Sequence, residues 1–405
     1  MNRGFYTILV AQFFSALADN ALLFAAIALL AELAAPDWHV PLLQQFFVIS
    51  YILLAPFVGA FADALPKGRV MLIANTIKII GCLSMLAGMP PLYAYAIVGL
   101  GAAAYSPAKY GILTEYLPPS LLVKANSWME GATVAAIILG ALVGGLLISP
   151  ALMGKALIDW GAPAWLSVPE VAISIILLFY LIAAWFNLYI PKLPIDHRVP
   201  HINPVFLVRD FWHAFKLLWK DPLGQVSLAV TTLFWGVGAT MRLVVLAWAA
   251  FNLKFDLTQA TQLTAMVAVG IAAGSIVAGK WVKLEESVKV LPAGIAMGLV
   301  VISMAFVNNW HIALIVLFLI GALAGYFVVP LNALLQHRGH LLMGSGHSIA
   351  VQNFNENIGI LVLLGVYAFM VGHELHIHWV IISFGVFISL AMTAIWHRHR
   401  FDQVV

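Results

Sequence analysis

Residues 310–334 read WHIALIVLFLIGALAGYFVVPLNAL, an apolar run without one Asp, Glu, Lys or Arg. About 20 such residues, coiled as a helix, are enough to cross the hydrocarbon core of a bilayer. In that core every backbone N–H and C=O must be satisfied internally, which only helices and closed barrels achieve. Barrel strands are short and alternate polar with apolar residues. This run does neither, so it reads as a transmembrane helix.

The rest of the chain repeats the pattern. Of its 405 residues, 63% are hydrophobic and only 9% charged, with a mean hydropathy of +1.00. A soluble domain carries about 25% charged residues, so this chain cannot cover a water-facing surface. A soluble enzyme, a disordered chain and a fibre are excluded. Apolar stretches at 5–31, 42–62, 69–88, 91–113, 125–149, 168–190, 223–250, 258–281, 288–306, 310–334, 345–371 and 377–397 predict about twelve spans. Only the connection from Pro191 to Pro222 is long. The expected architecture is an all-α integral membrane protein of two six-helix bundles, residues 1–190 and 223–405, joined by a cytoplasmic linker at 191–222. The N-terminal apolar stretch is faintly signal-like. Asp19 interrupts it and it continues to Leu33, too long for a cleaved segment, so it reads as the first span. Cys82 is the only cysteine, which excludes an intramolecular disulfide and leaves packing as its role.

Charge placement orients the spans, because cytoplasmic loops concentrate Lys and Arg. With both termini in the cytoplasm, fifteen of the 20 Lys and Arg fall on that side, among them Arg3, Lys67, Arg69, Lys124, Arg198, Arg338 and Arg400. The opposite face receives Lys155 and Lys254, while Lys78, Lys109 and Arg242 remain inside spans. The scattered cations give no basic patch for a nucleic-acid partner. In the linker, Phe206, Phe211, Phe215, Leu218 and Trp219 recur at helical spacing between Arg209, Lys216 and Lys220. They predict an amphipathic helix on the cytoplasmic membrane surface, acting chiefly as a strap between the bundles.

An ionised group at the centre of a span costs roughly 2.5–3.5 kcal/mol. Asp19, Lys78, Lys109, Glu130, Arg242 and Glu356 therefore call for a reason. Buried pairs are poor net stabilisers, so the default reading is a substrate path. Phe13-Phe14 and Phe234-Trp235 suggest a parallel repeat that places Asp19 and Arg242 in equivalent helices, with opposite charge. Glu356 lies in the polar run Gln352-Asn353-Phe354-Asn355-Glu356-Asn357, which cannot face lipid. The candidate path is Asp19, Asn20, Lys109, Glu130, Arg242, Gln352, Asn353 and Glu356. Gly140/Gly144, Gly270/Gly274 and Gly321/Gly325 have the spacing of closely packed membrane helices.

Other motifs fail. Gly274 to Lys280 resembles a phosphate-binding loop, but Trp281 replaces the hydroxyl residue and no strand precedes it. Ile377 stands where a zinc helix beginning at His373 would need its second histidine. His397 and Asp402 have acyltransferase spacing with no domain around them. No nucleophile–base pair, nucleotide site, metal site or cofactor site emerges, which points away from an enzyme.

The loop Gly59-Ala-Phe-Ala-Asp63-Ala-Leu-Pro-Lys67-Gly-Arg69 resembles the signature of the major facilitator superfamily. The resemblance implies that fold, and a gating role for Gly59, Asp63, Lys67 and Arg69 as a latch that breaks when the halves rock. The loop from Lys280 to Lys289 keeps the basic residues but lacks the Asp. Three strings are similar to the bacterial lysophospholipid transporter family: Asp19-Asn20-Ala21-Leu22-Leu23-Phe24, Tyr105-Ser-Pro-Ala-Lys109-Tyr-Gly-Ile-Leu113 and Val328-Val-Pro-Leu-Asn-Ala-Leu-Leu-Gln336. This similarity implies a monomer in a Gram-negative inner membrane, moving lysophosphatidylethanolamine and lysophosphatidylglycerol to the inner leaflet. Its implied partner is a peripheral acyltransferase/acyl-carrier-protein synthetase that re-acylates them. Asp19, Lys109 and Arg242 would be the polar residues of the cavity. Arg242 suits a bidentate phosphate contact, Lys109 adds a second cation, and Asp19 or Glu356 could meet an ammonium. The competing expectation is a proton-coupled exporter of drugs or other amphiphiles. A membrane scaffold and a membrane acyltransferase are more distant alternatives.

Overall fold

The computed structural model describes residues 1–36, 39–159, 163, 167–194, 203–255 and 257–399. Among them the regular structure is helical, with no strand. The first sequence half contributes α1 (Arg3–Glu32), α2 (His39–Leu53), α3 (Ala55–Ala64), α4 (Lys67–Leu86), α5 (Pro91–Tyr116), α6 (Leu122–Leu147), the short α7 (Lys155–Asp159) and α8 (Val168–Asn187). The linker carries α9 (Pro204–Lys220). The second half contributes α10 (Pro222–Trp248), α11 (Leu257–Trp281), α12 (Leu291–Met304), α13 (Trp310–Met343), α14 (Ser345–Gly372) and α15 (Ile377–His399). Several helix starts are capped by side chains that accept otherwise orphaned N–H groups, Asn203 before α9 and Asn309 before α13 among them. Asn2 accepts from Phe5, Ser167 forms a reciprocal capping box with Glu170, and Asp221 accepts from Gly224.

Among the described residues, ten helices are long and apolar enough to cross a membrane, or eleven if the bent pair at Leu42–Leu53 and Ala55–Ala64 is one span. The single span expected at 42–62 is thus two helices meeting at 65°. Pro56, in the first turn of α3, supplies no N–H to continue the α2 ladder. The remaining expected span falls on α5, whose 26 residues would reach about 39 Å but which is less apolar than these ten. A physical reason is visible. From Gly101 to Ala108 every residue of α5 is buried in protein, so its sequence is not selected by lipid.

The chain forms two compact units. The first comprises Met1–Glu115, Ala135–Phe211 and the segment Gly344–Ala350. Its core is alanine-rich along α1 (Ala18, Ala21, Ala25, Ala26) and packs against Ile173, Ile176 and Tyr180 of α8. The second comprises Tyr116–Val134, Trp212–Met343 and Val351–Val405, with α11 against α13 as its most extensive helix contact.

The glycine spacings mark real contacts. A Cβ at Gly270 or Gly274 would strike the backbone of Phe318 or Ala322 in α13, and one at Gly321 or Gly325 that of Val267 or Ile271 in α11. Gly140 and Gly144 of α6 likewise lie against α1 at Leu17, Asn20 and Ala21.

Helix α9 exists where the spacing predicts it. Leu207, Phe211, Ala214 and Leu218 are buried in protein. On its second-unit portion, the rings of Trp212 and Phe215 pack edge-on against Phe354 of α14. Linker residues 195–202 and the cations Arg198 and Arg400 lie outside the described residues, as does Asp402.

Candidate functional site

Asp19 lies midway along α1, and its carboxylate is held from two sides. Lys78 Nζ of α4 reaches Oδ2 at 2.7 Å, and the Tyr180 hydroxyl of α8 donates to Oδ1 at 2.7 Å. Lys78 also donates to Ser15 Oγ (3.0 Å), which donates onward to Asn75 Oδ1 (2.8 Å). The Tyr105 and Tyr180 rings flank the ammonium at 4.9 and 5.6 Å. Charge-assisted bonds, the strong kind in a low-dielectric interior, tie α1, α4 and α8 together, and α5 joins them through the Tyr105 ring beside the ammonium. The expectation from sequence set Asp19 and Arg242 in equivalent helices with opposite charge and placed both on the candidate path. The cation actually bonded to Asp19 is Lys78, which the sequence reading left off the path.

Lys78 is 1% exposed, whereas Asp19 is 22% exposed. Asp19 opens onto a cavity of about 280 Å³ lined with Asn20, Leu23, Gln44, Phe47 and Tyr95. The Phe47 and Tyr95 rings are 4.9 Å apart and form an apolar wall. Asn20 keeps its amide nitrogen on the Ala16 carbonyl at 2.8 Å.

A second cluster in the same unit surrounds Asp63 at the end of α3. Its oxygens accept from the backbone N–H of Gly346 (2.8 Å) and His347 (3.0 Å), in the first turn of α14. An anion there complements the helix dipole and two orphaned N–H groups. Lys67 Nζ bridges Asp63 (2.7 Å) and Glu115 (3.1 Å), and Ser345 Oγ donates to Glu115 at 2.8 Å. His347 places Nδ1 2.7 Å from Asp63 and Nε2 3.0 Å from Asp210 of α9. Gly59 has no room for a side chain: a Cβ would stand 3.0 Å from the Ala350 Cβ and from the His347 Cα. Of the four expected gating residues, Gly59, Asp63 and Lys67 therefore converge. Arg69 is exposed and joins no ion pair among the described residues.

In the second unit the polar run of α14 is buried, as its composition requires. Gln352 Nε2 donates to Glu356 (2.7 Å) and to Asn332 of α13 (2.8 Å). Asn355 accepts from the Trp219 indole at 3.2 Å. Asn126 of α6 and Gln336 of α13 exchange two amide bonds at 2.9 and 2.8 Å. Glu130 and Asn353 are buried as well. Arg242 is exposed in the C-terminal third of α10. Lys109 of the first unit is half-buried, with its ammonium 4.3 Å from the Tyr110 ring centre.

Sequence reasoning missed Lys78 as a site member, together with Tyr180, Glu115, Ser345, His347 and Asp210. A signal existed only for Lys78, one of the charges inside a span. The others are ordinary residue types whose partners lie far away in the sequence.

The Major Facilitator Superfamily profile matches residues 8–362. The chain is 44% identical over 372 residues to the lysophospholipid transporter LplT of Yersinia enterocolitica serotype O:8 / biotype 1B, covering 92% of this chain and 88% of that one. It is equally identical to the LplT of Yersinia pestis (strain Pestoides F), covering 87% of that protein. Among solved structures, the human organic anion transporter MFSD10 superposes with a TM-score of 0.74 at 16% identity, over 98% of this chain and 100% of that one. The transporter FucP does so with 0.74 at 15%, over 99% of both chains. At such identities these two structures speak to the fold alone.

Proposed function

Because the chain belongs to the major facilitator superfamily, a family of multi-pass membrane transporters, we propose that it transports lysophospholipids by alternating access. The observation that carries this reading is the 44% identity over 92% of the chain to proteins named for that substrate. The direction proposed is from the outer to the inner leaflet of a bacterial inner membrane, where a peripheral acyltransferase/acyl-carrier-protein synthetase would re-acylate the product. The proposed topology has twelve spans, residues 1–190 and 223–405 as the two bundles, and both termini in the cytoplasm.

The chemistry of the side chains supports the substrate. A lysophospholipid is a phosphate-bearing head on one acyl chain. Arg242 offers a planar donor fork for the phosphate, and Lys109 a second cation. Glu356, held by Gln352, is the anion for an ammonium. Asp19, Asn20, Glu130, Gln352 and Asn353 complete the proposed polar path, and the acyl chain needs only apolar wall, which 24 Phe and 13 Met supply amply. Asp63, Lys67 and Gly59 are proposed to part from the start of α14 and re-form during each cycle. Reconstitution of the protein in liposomes with labelled lysophosphatidylethanolamine tests the reading. The expected result is transfer well above that of empty vesicles, and equal rates would overturn it.

A further inference from the structure

We propose that Lys78 sets head-group selectivity: by neutralising Asp19 it makes the cavity beside α1 insensitive to net charge, so that zwitterionic and anionic lysophospholipids are both accepted. This inference rests on the lysophospholipid reading and adds a residue to it.

Three observations carry it. First, Asp19 is the acidic member of the cavity lining, the other lining residues being Asn20, Leu23, Gln44, Phe47 and Tyr95. Alone, its charge would draw a head group's ammonium and repel an anionic head such as phosphoglycerol. Second, both carboxylate oxygens are already engaged, Oδ2 by the Lys78 ammonium and Oδ1 by the Tyr180 hydroxyl, each at 2.7 Å. A collapsed ion pair presents a dipole to the cavity, and a dipole's field dies away faster than that of a lone charge. Third, Lys78 is 1% exposed while Asp19 is 22% exposed. Lys78 therefore does not itself meet a ligand. It acts through Asp19, as a positioning and charge-compensating residue fixed from behind by Ser15 and two tyrosine rings.

The volume agrees with this assignment. About 280 Å³ lies just below the span of drug-sized small-molecule sites, which run from roughly 300 to 1,000 Å³. It fits a phosphoethanolamine- or phosphoglycerol-sized head without the acyl chain.

A purely structural Lys78 would lower transport of every lysolipid in proportion. A selectivity role changes a ratio. The experiment measures transfer of labelled lysophosphatidylethanolamine and lysophosphatidylglycerol into proteoliposomes of the full chain, at one fixed pH. Unmodified protein should move both faster than empty vesicles do; if it moves neither, the transport reading falls and takes this inference with it. Lys78→Met should shift the ratio roughly tenfold toward the ethanolamine lipid, the size of one unit charge acting across about 10 Å. Asp19→Asn should shift it toward the glycerol lipid. Asp19→Asn with Lys78→Met should return it close to the original. The ratio needs no correction for the folded fraction, and because the two single variants shift it in opposite directions, either one that folds decides the matter, with the double variant, which buries no lone charge, as the reference. Unchanged ratios in folded single variants, or a double variant that selectively loses the ethanolamine lipid, would overturn the proposal. The latter result would make Asp19 an ammonium receptor in its own right.

Discussion

Asp63 is a single carboxylate with four hydrogen bonds: two from backbone N–H groups of α14, one from the Lys67 ammonium and one shared with a His347 ring nitrogen. Asp63→Asn removes the charge and turns one acceptor into a donor that confronts other donors. Breaking a buried ionic contact from one side costs about 3–5 kcal/mol. A marked fall in the thermal unfolding midpoint in detergent is therefore expected, together with loss of lysolipid transfer. Arg69, from the same loop motif, lies exposed in the first turn of α4 and takes no part in these contacts. Arg69→Ala should therefore stay within the range of surface changes, about 0.5 kcal/mol, in the same measurement. Asp63 and Lys67 were legible in the sequence as a functional pair, because the loop motif carries them. Their partners in α14 were not, since 283 and 284 positions separate Asp63 from Gly346 and His347. Lys78 was legible as an anomaly, a cation inside a span, but its partner was not, since Asp19 is 59 residues away on another helix.

At the scale of the element, periodicity and glycine spacing carried most of the information. Helix limits expected from apolar runs agree with those observed wherever lipid selects the sequence, as at 345–371 against Ser345–Gly372. They fail where a backbone effect intervenes, at Pro56, and at the end of α13, which runs past 334 to Met343, whereas α5 (Pro91–Tyr116) keeps close to its expected limits of 91–113. Two neighbouring glycines of α6 give a matched test of packing. Gly144 lies against α1, where a Cβ would stand 3.0 Å from the Ala21 carbonyl and the Phe24 ring, while nothing lies within 4 Å of a Cβ at Gly145. Gly144→Leu should therefore force α6 from α1, costing roughly 1–3 kcal/mol or more as overpacking does, and disturb Asn20 and Asp19 one turn away. Gly145→Leu should be neutral or slightly stabilising, because leucine is the better helix former. Unfolding midpoints of the two variants, measured side by side, check the contrast. If Gly145→Leu proved the more damaging, the α1–α6 packing would be wrong. For α9, the sequence revealed the helix and its stripe but not what covers the stripe. Leu218→Asp buries an unpaired charge and should lower the midpoint, whereas Val205→Asp, at 77% exposure, should not.

At the scale of the whole molecule the topology turns on α5, and the charges decide what each answer implies. If α5 crosses, the linker and its cations Lys192, Arg209, Lys216 and Lys220 lie in the cytoplasm, and Lys155 and Lys254 lie outside. If α5 did not cross, every later loop would change sides: Lys155 and Lys254 would move in and the linker cations out. That arrangement would run against the preference of Lys and Arg for the cytoplasmic side. Nor does the polarity of α5 argue against a crossing, since a helix enclosed by its neighbours need not be apolar all round. Cys82, the only cysteine, is fully buried, so Cys82→Ala provides a background for labelling. In that background Lys155→Cys and Lys254→Cys should react with a membrane-impermeant maleimide applied to intact spheroplasts. Lys216→Cys and Lys283→Cys should react only after the membrane is opened. The reverse pattern at all four positions would remove α5 from the set of spans and with it the cytoplasmic placement of the C-terminus. A mixed pattern, with Lys155 outside and Lys254 inside, would instead place the error between α7 and α11 and leave the assignment of α5 intact.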